Sequence, residues 1–321
     1  MKLGVFTVLF AQQPFEKALD YIQKSGLEAV EIGAGNYPGT AHCPVDDLLA
    51  SKDKAAEWKK KITGRGLEIS ALSCHGNPLH PDEAFARKDI ENMHKAFRLA
   101  EILGVKTVIG FSGCPGGGPK DKTPNWVTCA WPPDYPQILK WQWEQKLIPY
   151  WTKEVAFAAK HGVKMICLEM HPGFCVYNPE TLLKLRAACG EAIGANFDPS
   201  HLMWQGINPT VAIRHLGSAI YHVHAKDVKV DHANAETNGV LDHKPYTDEA
   251  HRSWIFRTVG WGHDAVVWKE MITELRLIGY DYVLSIEHED SLMSMEEGFR
   301  RAVAFMKEVT IAEPRPRVHW A

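Results

Sequence analysis

The sequence has no long run of basic residues. Its 36 Lys and Arg stand against 39 Asp and Glu, which leaves a formal net charge of −3. Proteins that bind nucleic acids or anionic membranes concentrate positive charge on one surface. We therefore expect neither a nucleic acid nor a membrane among its partners, and a small molecule as its ligand.

The cysteines are few and scattered. There are seven, and no two of them form a C-x-x-C pair. This pattern argues against a disulfide framework and fits a reducing compartment. The apolar opening MKLGVFTVLF is short and has no cleavage-site pattern, so we interpret it as a first strand rather than a signal peptide. Together these features predict a cytoplasmic protein.

The sequence also has no clear glycine-rich motif for phosphate binding. No G-x-G-x-x-G follows the first predicted strand, which argues against a dinucleotide-binding fold. The run Gly116-Gly117-Gly118 is bounded by prolines in a predicted loop. A phosphate cradle needs a helix N-terminus directly after the glycines. The sequence therefore does not favour a phosphate cradle there.

What the sequence does contain is a regular alternation of strands and helices. Apolar strands are predicted at 3–8, 29–32, 67–73, 105–111, 163–169, 193–198, 219–224 and 282–287. Helices are predicted at 14–25, about 51–63, 82–103, 137–161, 179–189, 209–216, 265–278 and 295–309, and glycine follows most of them. Eight such repeats predict a closed parallel (β/α)8 TIM barrel.

We expect a single barrel domain over residues 1–310, followed by a C-terminal tail over 311–321. Two loops are long, one after strand four (112–136) and a polar, His-rich one after strand seven (about 228–260). Long loops in compact domains are usually functional. The first is expected to be a lid or a subunit contact in a homo-oligomer. Trp126, Trp131 and Trp261 are candidates for stacking on a sugar, or for packing within the loops.

Four consecutive predicted strands carry an ionisable group at their carboxyl ends. The fifth ends at Glu169 in LEMHPG and the sixth at Asp198 in NFDPSH. The seventh ends at His224 in YHVHAKD and the eighth at Glu287 in LSIEHED. Catalytic groups of TIM barrels lie at the carboxyl ends of the strands. These four residues are therefore the leading candidates for an active site.

Strand alternation predicts that the four side chains point to the barrel axis. The apolar residues of opposite parity, which must face the helices, are Ile166, Leu168, Phe197, Leu284 and Ile286. Three carboxylates that converge on one axis repel each other unless a cation lies between them. Together with one imidazole they suit a divalent metal. The oxygen-rich set favours Mn²⁺, with Mg²⁺, Co²⁺ or Zn²⁺ as alternatives.

Nearly the whole chain resembles the sugar phosphate isomerase/epimerase family of xylose isomerase-like TIM barrels. This family includes ketose 3-epimerases and inosose dehydratase and is similar in fold to endonuclease IV. The resemblance rests on the four strand-end motifs and on Gly260-Trp261-Gly262 followed by Trp268. It implies one divalent metal on the four strand-end residues.

The resemblance also implies a reaction. In ketose 3-epimerases the positions that match Glu169 and Glu287 act as the acid/base pair, and the histidine that matches His201 contacts the substrate. The expected enzyme removes a proton next to a carbonyl of a sugar or keto-sugar through a metal-stabilised enediolate. Return of the proton to the other face, or to the next carbon, gives an epimerase or an isomerase.

Five further residues are candidates for substrate binding. They are His75 and His171 in loops, Glu31 on the inward parity of strand two, and Asp227 and Arg257 in the second half of the chain. Three of them have a structural alternative: Glu31 as a brace, Asp227 as a loop cap or an orienting group, and Arg257 as an exposed residue. His222 is interpreted as a hydrogen-bonded core residue.

The sequence departs from the ketose 3-epimerase pattern at two positions. Val230 stands where those enzymes have a substrate-binding arginine, and Cys175 where they have a second glutamate. A dehydratase or lyase acting on a keto-inositol or a 3-keto-glycoside is therefore the alternative, with His75, His171 or His201 as the acid. Ser112 replaces a histidine expected of endonuclease IV, so a nuclease is less favoured, as is a non-catalytic barrel.

Overall fold

The computed structural model describes residues 1–317. Its strands are Lys2–Phe6 (β1), Ala29–Gly33 (β2), Glu68–Ser73 (β3), Thr107–Gly110 (β4), Met165–Glu169 (β5), Ile193–Phe197 (β6), Ile220–Ala225 (β7), Asp227–Val230 (β8), Trp254–Arg257 (β9) and Val283–Ile286 (β10). Eight of them form a closed parallel barrel in the order β1-β10-β7-β6-β5-β4-β3-β2. The predicted (β/α)8 barrel is confirmed.

Helices connect the barrel strands. They are Phe15–Lys24 (α1), Val45–Ala50 (α2), Lys52–Thr63 (α3), Glu83–Leu103 (α4), Asp134–Trp141 (α5), Ile148–Lys160 (α6), Pro179–Cys189 (α7), Pro199–Met203 (α8), Pro209–Leu216 (α9), His232–Asn238 (α10), Ala265–Leu277 (α11) and Met295–Val309 (α12). A π-helical stretch, Gln142–Leu147, joins α5 to α6. The short helices α2, α8 and α10 were not predicted.

The longest helix, α4, shows how the sequence sets the helix ends. The Asp82 side chain accepts hydrogen bonds from the amides of Ala84 and Phe85, which caps the first turn. Gly104 ends the helix with φ of 70°, a left-handed conformation that glycine adopts without steric cost. Glycine therefore marks the end of a helix where the residue after it must adopt a positive φ.

The core has the two layers that strand alternation predicts. Leu168, Phe197 and Ile286 belong to the large cluster between the barrel and the helices. A small separate cluster inside the barrel contains Ala71, Ile109 and Cys167. Because Glu169 has the same parity as Cys167, its carboxylate faces the barrel interior at the top of the β5 strand. The core therefore positions the candidate site.

One loop prediction is wrong. Residues 228–260 were expected to be a polar loop, but they contain most of β8 and all of α10 and β9. The strands β8 and β9 pair as an antiparallel hairpin, with Asp227 opposite Arg257 and Val230 opposite Trp254. The hairpin packs buried aromatic side chains over one side of the barrel mouth, which matters for the site.

The long loop after β4 is present, and residues 111–133 contain no helix or strand. Among residues 1–317, no helix is long and apolar enough to cross a membrane. Residues 311–317 of the predicted tail form no helix or strand, and 318–321 lie outside the described residues. The division into a barrel and a tail stays a prediction.

Candidate active site

Four strand-end residues converge at the mouth of the barrel. Glu169 ends β5, Asp198 follows β6, His224 lies near the end of β7 and Glu287 follows β10. Each offers one oxygen or nitrogen atom, and these atoms all lie within 4.8 Å of one another. The structure therefore brings together the four residues that the sequence proposed as metal ligands.

His224 is held from behind by a buried carboxylate. Its Nε2 lies 2.9 Å from Glu31 Oε2, and Glu31 also accepts hydrogen bonds from Ser73 and Ser285. With the proton on Nε2, the lone pair of Nδ1 faces the other carboxylates. A carboxylate behind a ligating imidazole is the usual arrangement in metal sites, because it fixes the tautomer and the ring.

The unsatisfied atoms of the site fit a cation. Among the described residues, Asp198 Oδ2, His224 Nδ1 and Glu287 Oε2 are buried without a well-aligned hydrogen bond. Nδ1 of His224 nevertheless lies 2.7 Å from Glu287 Oε2, so the two atoms are close enough to contact one ion. Buried polar atoms without partners cost about 1–3 kcal/mol each. A divalent ion between them would remove this cost.

The charge balance also fits a cation. Burial opposes ionisation of Glu287, but Lys226 and His224 lower its pKa to about 2. Burial raises the pKa of Asp198, although His201 and Lys226 oppose this effect. Against the effect of burial, Glu31 and Glu287 raise the pKa of His224 well above its usual value. The surrounding negative charge thus favours a positive charge at this point.

Two further histidines contact Glu169. His75, in the loop after β3, places Nε2 3.2 Å from Glu169 Oε2, and His201, on α8, places Nε2 3.2 Å from Oε1. Asn196 donates a hydrogen bond of 2.8 Å to Glu169 Oε2. Burial opposes ionisation of Glu169, but the histidine contacts hold its pKa well below the usual range. Glu169 is therefore an ionised, oriented carboxylate.

Lys226 is a site residue that the sequence analysis missed. It is buried, and its Nζ lies 3.3 Å from Glu287 Oε1, 3.8 Å from Asp198 Oδ2 and 2.6 Å from Glu289 Oε2. It stands two residues after His224 on the same parity. The alternation used for the other candidates would therefore have found it, had the pattern been followed one step past the predicted strand end.

A cavity of about 250 Å³ opens above these groups. It is lined by Glu169, Glu287, His75, His171, His201, Lys226, Glu289 and by apolar and aromatic residues that include Phe6, Tyr37 and Phe111. His171 lies against His201, with 4.1 Å between the ring centroids. Burial lowers the pKa of His171 to about 3, so its ring is neutral. The three predicted histidines thus line one cavity.

Three predicted substrate ligands lie outside this cavity. Glu31 is fully buried beneath His224. Asp227 accepts hydrogen bonds from the backbone amides of Gly260 and His263 and braces that loop. Arg257 forms an ion pair with Asp290 at 3.1 Å. His222 is a buried core residue, with Nδ1 2.9 Å from Asn196 Oδ1.

Sequence comparison identifies the family. The profile of the xylose isomerase-like TIM barrel family matches residues 19–309, and the chain belongs to this family. The chain is 43% identical to the protein YfiH of Bacillus subtilis (strain 168) over 311 residues, which cover 96% of this chain and 99% of YfiH. The resemblance noted from the strand-end motifs is thereby confirmed.

Solved structures with the same fold include enzymes. The probable 3-DHS dehydratase AsbF of Bacillus anthracis has a TM-score of 0.66 at 17% identity, covering 96% of this chain and 99% of that chain. An IolI protein with a bound zinc atom has a TM-score of 0.65 at 20% identity, covering 96% and 98%. A D-tagatose 3-epimerase-like protein has 0.61 at 21%, also covering 96% and 98%. At these identities the likeness shows the fold alone.

Proposed function

We propose that this protein is a divalent-metal-dependent isomerase or epimerase of a sugar or keto-sugar, which moves a proton at a carbon next to a carbonyl. The observation that carries the proposal is the set of four ligand atoms within 4.8 Å of one another below a cavity of about 250 Å³. Three of the four residues have a buried oxygen or nitrogen atom without a hydrogen-bond partner among the described residues. Mn²⁺ suits the three oxygens and one nitrogen, as do Mg²⁺, Co²⁺ and Zn²⁺.

Glu169 and Glu287 are the proposed proton-transfer pair. Around the barrel, β5 and β10 are separated by two strands on one side and four on the other, so the two carboxylates approach the cavity from nearly opposite sides. Both have lowered pKa values, so both are ionised at neutral pH and free to accept a proton. A base on each face of the substrate is the requirement for epimerisation.

The remaining residues bind and orient the substrate. When bound, the metal supplies Lewis-acid stabilisation of negative charge that develops on substrate oxygen. His75, His201 and Lys226 surround the two glutamates with groups that hydrogen-bond to hydroxyls. Phe6 and Phe111 contribute apolar surface to the wall of the cavity. Glu31 positions His224.

A dehydratase or lyase is the second candidate, and one observation favours it. Elimination needs a base and a separate acid to protonate the departing group. His75, His201 and Lys226 are potential proton donors beside the glutamate bases, which is more than a two-base epimerase uses. In that case one glutamate takes the proton and a neighbouring cationic group releases one to the leaving oxygen.

Exchange of hydrogen in D₂O tests the proposal. The Mn²⁺-loaded protein is incubated with ketoses, keto-inositols and 3-keto-glycosides and followed by ¹H NMR. We expect deuterium at one carbon next to a carbonyl, with a product of equal mass, apart from the deuterium, for an epimerase or with loss of water or an alcohol for a lyase. No exchange with any member of the panel, despite bound metal, would contradict both functions.

Matched variants then test the two glutamates. Glu169→Gln and Glu287→Gln, each saturated with metal, should slow exchange by about 10²–10⁴-fold or more, because each removes a general base. Glu274→Gln is the control, since Glu274 pairs with Arg214 on the helical layer, away from the cavity. If both site variants retain the exchange rate of the control, the acid/base assignment is wrong.

A further inference from the structure

A second cavity adjoins the one above the proposed metal site. It has a volume of about 400 Å³ and is bounded by the loop after β4, the loop after β5 and the segment between β8 and β9. His171 and His201 line both cavities. Because the two histidine rings lie 4.1 Å apart, they form the boundary where one cavity meets the other. A molecule bound beside Glu169 is therefore next to the second cavity.

One wall of the second cavity is a rigid aromatic surface. Trp204 and Trp254 stack with 4.6 Å between ring centroids and 7° between ring planes, and each is about 5% exposed. The buried Arg252 lies 4.6 Å from the Trp254 ring and 4.4 Å from the Tyr246 ring. Because Trp204 and Arg252 pack on the Trp254 ring, the accessible aromatic group of this wall is Tyr246, which is 55% exposed. Aromatic rings of this kind stack on the apolar face of a sugar or on another aromatic ring.

The same cavity has unsatisfied hydrogen-bond donors. The indole Nε1 atoms of Trp126 and Trp204 are buried without a partner among the described residues, and both tryptophans line the cavity. Buried indole N–H groups usually have an acceptor. A hydroxyl or ether oxygen of a ligand would complete these sites after a small movement of the side chains that now cover the two nitrogen atoms. The cavity thus combines an aromatic wall with two lining tryptophans whose N–H groups have no acceptor among the described residues.

The two cavities together are large enough for a ligand of two linked rings. At about 250 Å³, the cavity by the metal ligands lies below the range of about 300–1,000 Å³ usual for small-molecule sites, whereas both cavities together lie within it. A single sugar ring beside Glu169 and Glu287 would leave the aromatic cavity without a ligand. The arrangement matches two linked rings better than one.

We propose that the substrate is a glycoside, with its keto-sugar ring in the cavity of Glu169 and Glu287 and the attached ring stacked in the second cavity. The attached ring is planar or has an apolar face, and it carries oxygen atoms for the indole donors. A second sugar and an aromatic aglycone share this chemistry. This proposal rests on the proposed function and concerns binding of the substrate rather than its chemical step.

The test compares 3-keto-glucosides that differ only in the attached group. We measure kcat/KM for hydrogen exchange with the methyl, phenyl and glucosyl compounds. Stacking of an attached ring is worth about 0.5–1.5 kcal/mol, so the better of the phenyl and glucosyl compounds should exceed the methyl compound by about 2- to 12-fold. Which of the two is preferred distinguishes an aromatic aglycone from a second sugar.

Variants locate the effect. Trp126→Ala should bring kcat/KM for the preferred ring compound close to that for the methyl compound. Tyr246→Ala is the second cavity variant and serves if Trp126→Ala does not fold. Tyr246 lines the cavity and is 55% exposed, and its loss should weaken the preference for the attached ring. Trp131→Ala is the control, because Trp131 lies in the same loop, is 76% exposed and does not line the cavity. An unchanged preference in both cavity variants would overturn the proposal.

The failure of this proposal can be told apart from failure of the proposed function. Equal kcat/KM for all three compounds would overturn the glycoside proposal and leave metal-dependent proton transfer intact. If no keto-sugar exchanges, the proposed function fails, and saturation-transfer NMR with phenyl β-glucoside decides the second cavity. Saturation of the phenyl protons that Trp126→Ala abolishes would support the cavity as a ring-binding site, and its absence would overturn it.

Discussion

His224 is held in place by residues from distant parts of the chain. Glu31 lies on β2, yet it reaches Nε2 of His224 on β7 and also binds Ser73 on β3 and Ser285 on β10. All of these groups are fully buried. The network therefore orients the ring without a metal. If His224 binds the proposed metal, the strength of the network should appear in metal affinity rather than in substrate affinity.

Glu31→Gln should lower metal affinity by about 10–100-fold, the usual effect of losing a carboxylate behind a ligating histidine. Isothermal titration with Mn²⁺ and Zn²⁺ measures the change. Ser285→Ala, which removes one of the hydrogen bonds to Glu31, should cause a smaller loss. If Glu31→Gln binds metal as tightly as the wild type and the fold is intact by circular dichroism, Glu31 does not position His224.

At this scale, strand parity was the informative signal. It predicted that Glu169, Asp198, His224 and Glu287 share the barrel axis, and the structure places their ligand atoms within 4.8 Å. Parity cannot measure depth along the axis, so it did not show that Glu31 lies beneath His224. That relation depends on how neighbouring strands are staggered, which is a property of the closed sheet rather than of any one segment.

The β8–β9 hairpin is the element that distinguishes the mouth of this barrel. Its start is fixed by Asp227, whose carboxylate accepts hydrogen bonds from the amides of Gly260, Gly262 and His263 and from Trp268 Nε1. Asp227 is fully buried. It therefore ties the hairpin to the start of α11, and through the hairpin it supports the aromatic wall of the second cavity.

Asp227→Asn should lower the free energy of unfolding by about 1.5–3 kcal/mol, because charged hydrogen bonds to a buried acceptor are lost. The hydrogen bond from His263 to Asp227 raises the pKa of His263. This part of the stability is present below about pH 6.5 and is lost as pH rises through the higher folded-state pKa. The difference in the free energy of unfolding between the wild type and Asp227→Asn should thus be larger at about pH 6 than at about pH 9.

Urea unfolding at the two pH values measures this difference. His263→Gln is the matched background, since it removes the titrating ring while Asp227 keeps its backbone partners. In that background the effect of Asp227→Asn should lose its dependence on pH. An equal difference at both pH values in the wild-type background would contradict the assigned role of the His263–Asp227 contact.

The hairpin also shows why part of the fold escaped prediction. Its strands have four residues each, and they are separated in the chain by residues 231–253, which are rich in polar side chains. The apolar positions Trp254 and Phe256 are buried against Trp204 and His201, which lie about fifty residues earlier. Such short strands are stabilised by distant contacts, and local periodicity does not report them.

For the whole molecule, closure of the barrel creates the site. The first and last barrel strands pair directly, with Leu3 opposite Leu284 and Val5 opposite Ile286. The proposed ligands come from β5, from β7 and from the residues that follow β6 and β10, and their brace comes from β2. No local segment contains the site. The regular strand–helix repeat made the closed barrel predictable. The cavities formed by its loops could not be predicted in this way.

The proposed site holds one divalent ion between these four strand-end residues. An anomalous difference map from crystals of the Mn²⁺-loaded protein tests this most directly. We predict one strong peak, from an ion bound by Glu169, Asp198, Glu287 and Nδ1 of His224. A second candidate group nearby consists of Glu31, His222 and His224. A peak at that group, or no peak at the barrel mouth with metal in excess, would contradict the account.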